Sequence, residues 1–481
     1  MSATLTNPSF PEAVQPQSKV LRRELGIADL ALAQILIVIV PEFFGTAVKA
    51  GPAHVVLWLL AILLFFVPQA LVVAHLNRLM PLEGGLYEWA RLAFGDRVGF
   101  LVAWNMWLNT TVQVSQIALV TTTYIAYAFG PGADWIGSNQ FVLVGASIVL
   151  IAAMMLIARL GLSVGKWVSN VGSIFTVIIL AVLIVLPFFH VRHGTLPHYN
   201  PLPLALPAFT LFSLSIFSKM TFGALSGFEM VAIFAGESRS PGRNLARSIL
   251  FTAPLIALLY ILGTSAILAF VSPDAIDVIG PVPQALNAGF GIFGFGVFGL
   301  TRPLVSIAIL LLLLNYICSY TLYFSTNTRL PLVAGWDHLL PGWFSVLHAK
   351  YRTPVYSILF MGSVALAASI AVLIGARNQE AFTLLQIWAW TFYGFAYLVM
   401  FAIPLFAPKR KNIRPGVWLR AGAAAAFAVT LLFVLLSVLP VVPVSSVWKY
   451  SLKIALVVLA ANFVGWTVYR FGQRKGASQE N

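Results

Sequence analysis

The sequence comprises 481 residues, of which 60% are hydrophobic and only 9% are charged, and its mean hydropathy is +0.91. This composition excludes an ordinary soluble globular domain, in which about 25% of the residues are charged. The net charge of +14 does not indicate a nucleic acid partner, because the Lys and Arg residues are scattered through short loops. The single cysteine, Cys318, excludes a disulfide framework within the chain.

The hydrophobic residues form repeated, continuously apolar runs of about 20 residues, the length of a helix that crosses a bilayer. A barrel strand would instead alternate apolar and polar residues, so the sequence predicts an all-α membrane protein of about 12 transmembrane helices. The predicted spans are 27–48, 54–79, 98–129, 138–160, 164–190, 208–235, 247–272, 297–327, 354–375, 381–407, 417–440 and 446–470.

The orientation of the chain follows from the distribution of its positive residues. Most of the 29 Lys and Arg residues fall in the predicted loops on the side of the N-terminus, and few fall in the loops on the other side. Positive residues in short loops are retained in the cytoplasm. With an even number of spans, both termini are therefore expected on the cytoplasmic side of the cell (plasma) membrane.

The first predicted span contains a proline and a carboxylate near the middle of the membrane. Pro41, Glu42 and Gly45 follow an apolar run that ends at Val40. Proline frees backbone polar groups that can serve a ligand. A carboxylate in the membrane costs at least about 2.5–3.5 kcal/mol and usually faces a cavity or a partner. These four residues are candidate substrate contacts; the alternative is a kinked helix with a protonated or water-exposed Glu42.

The sixth predicted span is interrupted at a corresponding position. Phe222, Gly223, Ser226 and Gly227 precede Glu229, and the two glycines weaken the helix. Small residues four apart also serve ordinary helix packing in membranes. The two breaks fall in the first helices of two five-helix halves, a pattern that points to the substrate site of a secondary transporter. These five residues are therefore further candidate substrate contacts.

Several short motifs punctuate the chain between residues 26 and 411. They are Phe66-Val67-Pro68-Gln69-Ala70-Leu71, Met80-Pro81-Leu82-Glu83-Gly84-Gly85-Leu86-Tyr87, Phe94-Gly95, Gly227-Phe228-Glu229 and Ala235-Gly236-Glu237-Ser238-Arg239-Ser240-Pro241. In these motifs the sequence resembles the amino acid-polyamine-organocation (APC) superfamily of permeases. The stretch 66–95 looks most like the glutamate/GABA antiporter and polyamine uptake branches.

The resemblance implies a LeuT-like fold of two inverted five-helix repeats with two peripheral C-terminal helices and alternating access around a central site. The division of the chain that it implies is a cytoplasmic tail 1–26, a core 27–411 with repeats 27–190 and 208–407, peripheral helices 412–471 and a cytoplasmic tail 472–481. It also implies that the two breaks contact the amino and carboxylate groups of the substrate. Glu229 would link the sixth helix to its neighbours or to a proton.

The resemblance further assigns an inner gate to two cytoplasmic loops. Its residues are Glu83, Gly84, Gly85, Glu237 and Arg239. The sequence departs from the family in two places. Val38–Pro41 replaces the usual glycine-rich turn, which puts backbone recognition of a carboxylate there in doubt. Thr176 is the nearest match to a lysine that many members carry on the fifth helix, so proton coupling through that lysine is not supported.

A lysine lies inside the sixth span, ahead of its break. The charge of Lys219 is not expected to face lipid at that depth. Our hypothesis is that Lys219 offers a positive charge near the outer end of the substrate site, opposite Glu42, and so disfavours polyamines. A lysine that extends along its four-carbon stem to the outer interface is the alternative.

Other polar residues lie on helical faces that are expected to point inward. Asn109 shares one face of the third helix with Asn105 and Gln116, and Asn315 lies on the eighth helix. Hydrogen bonds between helices explain such residues without a ligand. Aromatic residues of the tenth helix that are candidates for gating the cavity are Trp390, Tyr393 and Tyr397.

The sequence therefore predicts a secondary active transporter that moves amino acids or related amines by alternating access, through exchange or ion coupling. A proton is the expected coupling ion, and the lipid bilayer is the other partner. A polyamine or organocation proton symporter is the alternative, followed by a channel and a non-transporting sensor. An enzyme is excluded because the chain carries no catalytic or nucleotide-binding motif. We expect no cofactor and no metal.

Overall fold

The structure is a computed structural model, and every regular element in its described residues is helical apart from one isolated bridge between Leu347 and Pro354. The described residues are 27–80, 85–160, 165–232, 241–292, 301–333, 344, 346–349, 351, 353–407 and 415–479. The α-helices are α1 (Ile27–Val38), α2 (Glu42–Val48), α3 (His54–Ala61), α4 (Val67–Leu79), α5 (Gly85–Phe94), α6 (Asp96–Ser115), α7 (Ile117–Phe129), α8 (Asp134–Ser138), α9 (Gln140–Leu160), α10 (Gly165–Arg192), α11 (Leu211–Leu225), α12 (Phe228–Ala232), α13 (Pro241–Leu268), α14 (Pro281–Ile292), α15 (Thr301–Asn327), α16 (Leu330–Val333), α17 (Val355–Gly375), α18 (Asn378–Phe406), α19 (Val417–Leu436) and α20 (Val447–Gln479).

Ten helical spans in this described part of the chain are long and apolar enough to cross a membrane, and one of them consists of α11 and α12 on either side of a break. The two remaining predicted spans are interrupted helices, formed by α1 with α2 and by α6 with α7. The prediction of an all-α membrane protein of about 12 spans is thereby confirmed. We call the face of the bundle where α1 begins the N-side, and the opposite face, where α2 ends and α14 lies, the far side.

Several elements were not predicted from the sequence. The chain between the second and third spans forms α5, whose apolar residues Leu86, Trp89 and Ala90 are buried, while Glu88 and Arg91 form an ion pair of 3.1 Å. A helix of ten residues is too short to be recognised by a search for spans. In addition, α14 lies between α13 and α15, and a π-helical segment, Ile62–Phe66, joins α3 to α4.

The interrupted helices lie in the middle of the bundle. The first, α1 with α2, packs against α10, α11 and α13, and α18 packs against α6, α19 and α20. Close packing at α2 depends on a small residue, because a Cβ on Gly45 would lie 3.0 Å from the Cα of Val278. Hydrogen bonds tie the helices together, as from Gln34 of α1 to Ser248 of α13 at 2.9 Å. Such bonds contribute about 0.6–2 kcal/mol each in membranes.

Candidate functional site

The first break begins where α1 ends at Val38, and α2 starts after Pro41. Pro41 has no backbone N–H, so the helix cannot continue unchanged through it. The hydroxyl of Tyr260, on α13, bridges the gap: it donates to the carbonyl oxygen of Val38 at 2.9 Å and accepts from the backbone N–H of Val40 at 3.0 Å. A side chain of the protein therefore satisfies two backbone groups that the break has freed.

The second break separates α11 from α12 at Ser226 and Gly227. Gly227 has a φ of +119°, and a Cβ at this position would lie 2.8 Å from Cγ2 of Ile37 on α1. Only glycine combines this backbone conformation with so close an approach. The Ser226 hydroxyl donates to the carbonyl oxygen of Phe222 at 2.6 Å, which satisfies one of the last carbonyls of α11. The two breaks thus contact each other through Ile37 and Gly227.

Glu229 joins the second break to α18. Its side chain is 1% exposed, and its two oxygens accept hydrogen bonds from the hydroxyls of Tyr393 and Tyr397. The Tyr397 hydroxyl also accepts from the backbone N–H of Gly227 at 2.7 Å and from Nε2 of Gln69 at 2.8 Å. One tyrosine hydroxyl therefore connects the break, the glutamate and α4.

A cavity adjoins both breaks and holds about 60 Å³ of space for the centres of water molecules. At about 10–15 Å³ per water, this is room for several waters or a small polar ligand group. Its lining residues are Ile37, Ile39, Val40, Pro41, Asn109, Gln113, Tyr124, Thr176, Ser226, Gly227, Met230, Leu312, Asn315, Tyr316, Ser319, Tyr320, Tyr323, Trp390 and Tyr393. Aromatic rings and amides thus dominate the polar part of the wall.

The amide groups of the cavity are held in place by neighbouring helices. Asn109 donates to the carbonyl oxygen of Ala389 at 2.9 Å, and Gln113 donates to Oδ1 of Asn109 at 3.3 Å. Across the cavity, Asn315 donates to the hydroxyl of Thr176 at 2.9 Å. Because their orientations are fixed by these bonds, the amides present defined polar groups to a ligand.

The structure places the predicted site residues in three groups. Those that line the cavity are Val40, Pro41, Asn109, Asn315, Ser226 and Gly227. Those that lie outside its lining are Glu42, Gly45, Lys219, Phe222, Gly223 and Glu229. Of the predicted inner gate, Glu83, Gly84, Glu237 and Arg239 lie outside the described residues. Gly85 begins α5 with a φ of +52°.

The hypothesis from the sequence placed Lys219 opposite Glu42, but in the structure Lys219 points elsewhere. It is 2% exposed, and its Nζ donates to the hydroxyl of Ser215 at 3.0 Å and to the carbonyl oxygen of Leu439, just beyond the C-terminal end of α19. A cation is favourable at a helix C-terminus. The reason for the difference is that depth in a span does not fix the direction of a side chain around the helix axis, and here that direction is toward α19.

The polar stripe of the third span is also divided. Asn109 faces the cavity, whereas Asn105 donates to Oδ1 of Asn462 on α20 at 2.8 Å. Gln116 lies in the break between α6 and α7 and donates to the hydroxyl of Tyr320 at 2.9 Å. Asn105 and Asn109 share a face of α6 but lie one turn apart, at heights where that face meets different neighbours, and the break changes the helical phase only from Gln116 onward.

A cluster of aromatic rings adjoins Trp390 of the cavity wall. The ring of Phe43 meets the ring of Trp390 edge-on at 5.3 Å, and the ring of Phe222 stacks on that of Phe433 at 4.5 Å. The ring of Phe43 occupies the space that a Cβ on Gly223 would need. Through Trp390, the wall of the cavity is therefore joined to a cluster of packed aromatic rings.

A second set of contacts lies farther out. The Tyr127 hydroxyl donates to Asp277 at 3.1 Å, and Nδ2 of Asn287 donates to the carbonyl oxygen of Tyr127 at 2.7 Å. Burial raises the pKa of Asp277, which lies in the connection between α13 and α14. On α2, Lys49 donates to the carbonyl oxygen of Pro273 at 3.2 Å. The far-side connection therefore seals against α2 and α7 in this conformation.

Sequence reasoning missed three tyrosines of the cavity wall, Tyr124, Tyr320 and Tyr323. Tyr320 and Tyr323 follow Tyr316 at helical spacings of four and seven on α15, and this pattern could have indicated a common face. Tyr124 has no such pattern around it. Aromatic residues make up 13% of the sequence, so most of them carry no information about a site.

Comparison with known proteins gives matches along most of the chain. A protein-family model described as amino acid permease matches residues 29–461. The branched-chain amino acid permease BcaP of Bacillus subtilis is 27% identical over 398 residues, which cover 77% of this chain and 80% of that protein. The probable agmatine/putrescine antiporter AguD of Lactococcus lactis is 26% identical over 247 residues, which cover 51% of this chain and 52% of that protein.

A solved structure with the same fold is that of MhsT in complex with L-phenylalanine. The match has a TM-score of 0.61 at 15% sequence identity and covers 86% of this chain and 98% of that chain. MhsT has the LeuT fold, so the LeuT-like arrangement predicted for this chain is confirmed.

Proposed function

This chain belongs to the amino acid permease family of the APC superfamily, and on that ground we propose that the cavity beside the two helix breaks binds its substrate. The chain is a multi-pass membrane protein and a secondary transporter of amino acids or related amines, not an enzyme. The observation that carries the proposal is the position of the cavity between Val40 of the first break and Gly227 of the second. Interrupted helices of this kind form the central site of transporters.

The lining of the cavity favours neutral or cationic amino compounds as substrates. It contains no Lys, Arg, Asp or Glu among the described residues, and Lys219 points away from it. A substrate with an acidic side chain would therefore find no cation there. The rings of Tyr124, Tyr316 and Trp390 can instead contact apolar groups or ammonium groups, the latter by cation–π attraction. The names of BcaP and AguD are consistent with these two kinds of substrate.

Alternating access would require the two breaks to move relative to each other. Gly227 is the residue at the contact that can change conformation most freely, because glycine has no Cβ and adopts both positive and negative φ values. The bonds from Tyr393 and Tyr397 to Glu229 hold α12 against α18 in the present conformation. Loss of these bonds would release α12. We propose that the bonds are broken either by exchange of substrate or by binding of a coupling proton at Glu229.

We place the N-side in the cytoplasm because the loops there carry most of the Lys and Arg residues. Both termini would then be cytoplasmic and the chain would lie in the cell membrane. We retain the division into repeats 27–190 and 208–407 with peripheral helices in 412–471. The resemblance of residues 66–95 to the glutamate/GABA antiporter and polyamine uptake branches remains a proposal, and the absence of a cation in the described lining favours the polyamine branch.

The test is uptake into proteoliposomes that contain a mixed internal pool of amino acids and amines. Labelled neutral, cationic and acidic substrates are supplied with and without a proton gradient. We expect uptake of neutral or cationic substrates, stimulated by the internal pool for an exchanger or by the gradient for a proton symporter. Uptake of glutamate alone would contradict the proposal.

Asn315→Leu should reduce uptake about tenfold or more, since one side of the cavity loses a positioned amide.

A matched control separates the site from general effects on the bundle. Asn105→Leu removes an amide of the same kind that bonds to Asn462 on α20, outside the cavity. Uptake is compared per amount of folded protein, measured by size-exclusion chromatography. Equal losses in the two variants would mean that the cavity does not bind the substrate.

A further inference from the structure

The side chain of Glu42 is enclosed by protein but makes no well-formed hydrogen bond with the described residues. It is 1% exposed, and neither of its carboxylate oxygens accepts a hydrogen bond from any described residue. An ionised carboxylate in such surroundings is unfavourable by several kcal/mol unless something pairs with it. Glu229, which is equally buried, shows the contrast, because both of its oxygens are occupied by tyrosine hydroxyls.

Two tyrosine hydroxyls near Glu42 also make no well-formed hydrogen bond with a described residue. The hydroxyl of Tyr316 lies beside the Glu42 carboxylate, and the hydroxyl of Tyr124 lies within range of its charge. The rings of Tyr124 and Tyr316 are 6.5 Å apart and are 1% and 6% exposed. Buried polar atoms normally have partners, and each exception needs a physical reason. Here three exceptions occur together.

The lysines nearest in sequence to the two breaks do not fill this role. Lys49, at the other end of α2, donates to the carbonyl oxygen of Pro273, and Lys219 donates to the carbonyl oxygen of Leu439. The group that pairs with Glu42 is therefore expected from outside the described chain. The route is available, because Tyr124 and Tyr316 both line the central cavity.

We propose that Glu42, Tyr124 and Tyr316 form a subsite at the far-side end of the cavity that binds the distal ammonium group of a substrate with two amino groups. An ammonium group carries three N–H donors and no acceptor, which suits a carboxylate and two phenol oxygens. The faces of the two tyrosine rings add cation–π attraction. The inference rests on the cavity being the substrate site, and it makes diamines and basic amino acids the preferred substrates.

The experiment compares ligands that differ only in the distal ammonium group. Lysine is paired with norleucine and putrescine with 1-butylamine, and the dissociation constant of each is measured for the purified full chain in nanodiscs. In the wild type, the member with the second amine should bind more tightly in at least one pair. The preference is expressed as the ratio of the two dissociation constants within that pair. Glu42→Gln should reduce that ratio by about thirtyfold, equivalent to about 2 kcal/mol, because a buried charge pair is lost.

A second variant and a control complete the test. Tyr316→Phe retains the ring, removes one acceptor and should lower the ratio about threefold to tenfold, so the subsite can still be assessed if Glu42→Gln does not fold. Glu380→Gln neutralises another buried glutamate, which pairs with Lys453 at 3.6 Å and does not line the cavity, and it should leave the ratio unchanged.

Three results would overturn the subsite. The first is a ratio of dissociation constants that is the same in Glu42→Gln, in Tyr316→Phe and in the wild type. The second is tighter binding of norleucine and 1-butylamine by the wild type. The third is an equal loss for both members of a pair together with loss of proton or sodium dependence, which would make Glu42 a site for a coupling ion. A wild type that binds none of the four ligands contradicts the substrate site itself, and the subsite with it.

Discussion

Replacement of Tyr397 by phenylalanine tests the contact between the second break and α18. The change keeps the ring, which packs edge-on against Phe222 at 5.2 Å, and removes only the hydroxyl. That hydroxyl makes three hydrogen bonds, to Glu229, to the backbone N–H of Gly227 and to Gln69. At about 1 kcal/mol for each bond, the loss of unfolding free energy is about 3 kcal/mol. Transport should fall as well, because the break loses its support.

The assay is thermal unfolding of purified variants in detergent, with uptake measured in parallel. Tyr393→Phe loses a single bond to Glu229 and should cost about 1 kcal/mol. Tyr450→Phe is the matched control, because the Tyr450 hydroxyl is fully buried and has no partner among the described residues. Its removal should not destabilise the protein. The reasoning is refuted if Tyr397→Phe unfolds at the same temperature as Tyr450→Phe.

Two further predictions concern other parts of the site. Gly227→Ala should lower stability by about 1–3 kcal/mol and abolish uptake, because alanine disfavours a φ of +119° and its Cβ would meet Ile37 at 2.8 Å; a variant with normal melting temperature and uptake would contradict this. Asp277→Asn tests the pH dependence of stability. Burial raises the pKa of Asp277 above its ordinary value of 3.8. The native state therefore becomes less stable as the pH rises from 3.8 through the raised pKa. Melting temperatures measured from pH 4 upward should therefore fall less steeply for Asp277→Asn than for the wild type, and parallel curves would refute the assignment.

The positions of the helix breaks could be predicted because their causes are local. Pro41 cannot continue a helix, and Gly227 permits a conformation that other residues avoid. The spans were predictable for a related reason, since a continuous apolar run of about 20 residues rarely forms anything but a membrane-spanning helix. The break at Gln116 could not be foreseen, because no glycine or proline accompanies it and the neighbouring residues are ordinary helix formers.

The composition of the cavity wall was harder to predict than the breaks beside it. Whether a residue lines the cavity or contacts another helix depends on how its helix is rotated and on its height along that helix, and sequence spacing alone does not fix either. Asn109 faces the cavity, while Asn105, one turn away, contacts α20. Lys219 reaches the end of α19 for the same reason. The family resemblance assigned roles to the breaks, but it did not indicate the tyrosines around Glu42.

The hydrogen bonds from Tyr260 to the first break affect how rigid the two breaks are relative to each other. Because this side chain already satisfies Val38 and Val40, the unwound segment keeps its shape when no ligand is bound. A substrate that binds in the cavity, as proposed, would therefore lose no affinity in ordering this segment. The second break is also held by a side chain, since the Tyr397 hydroxyl accepts from the backbone N–H of Gly227, but its glycine can adopt backbone conformations that Val38 and Val40 cannot. Under the proposed alternating access, the second break would therefore rearrange more easily than the first.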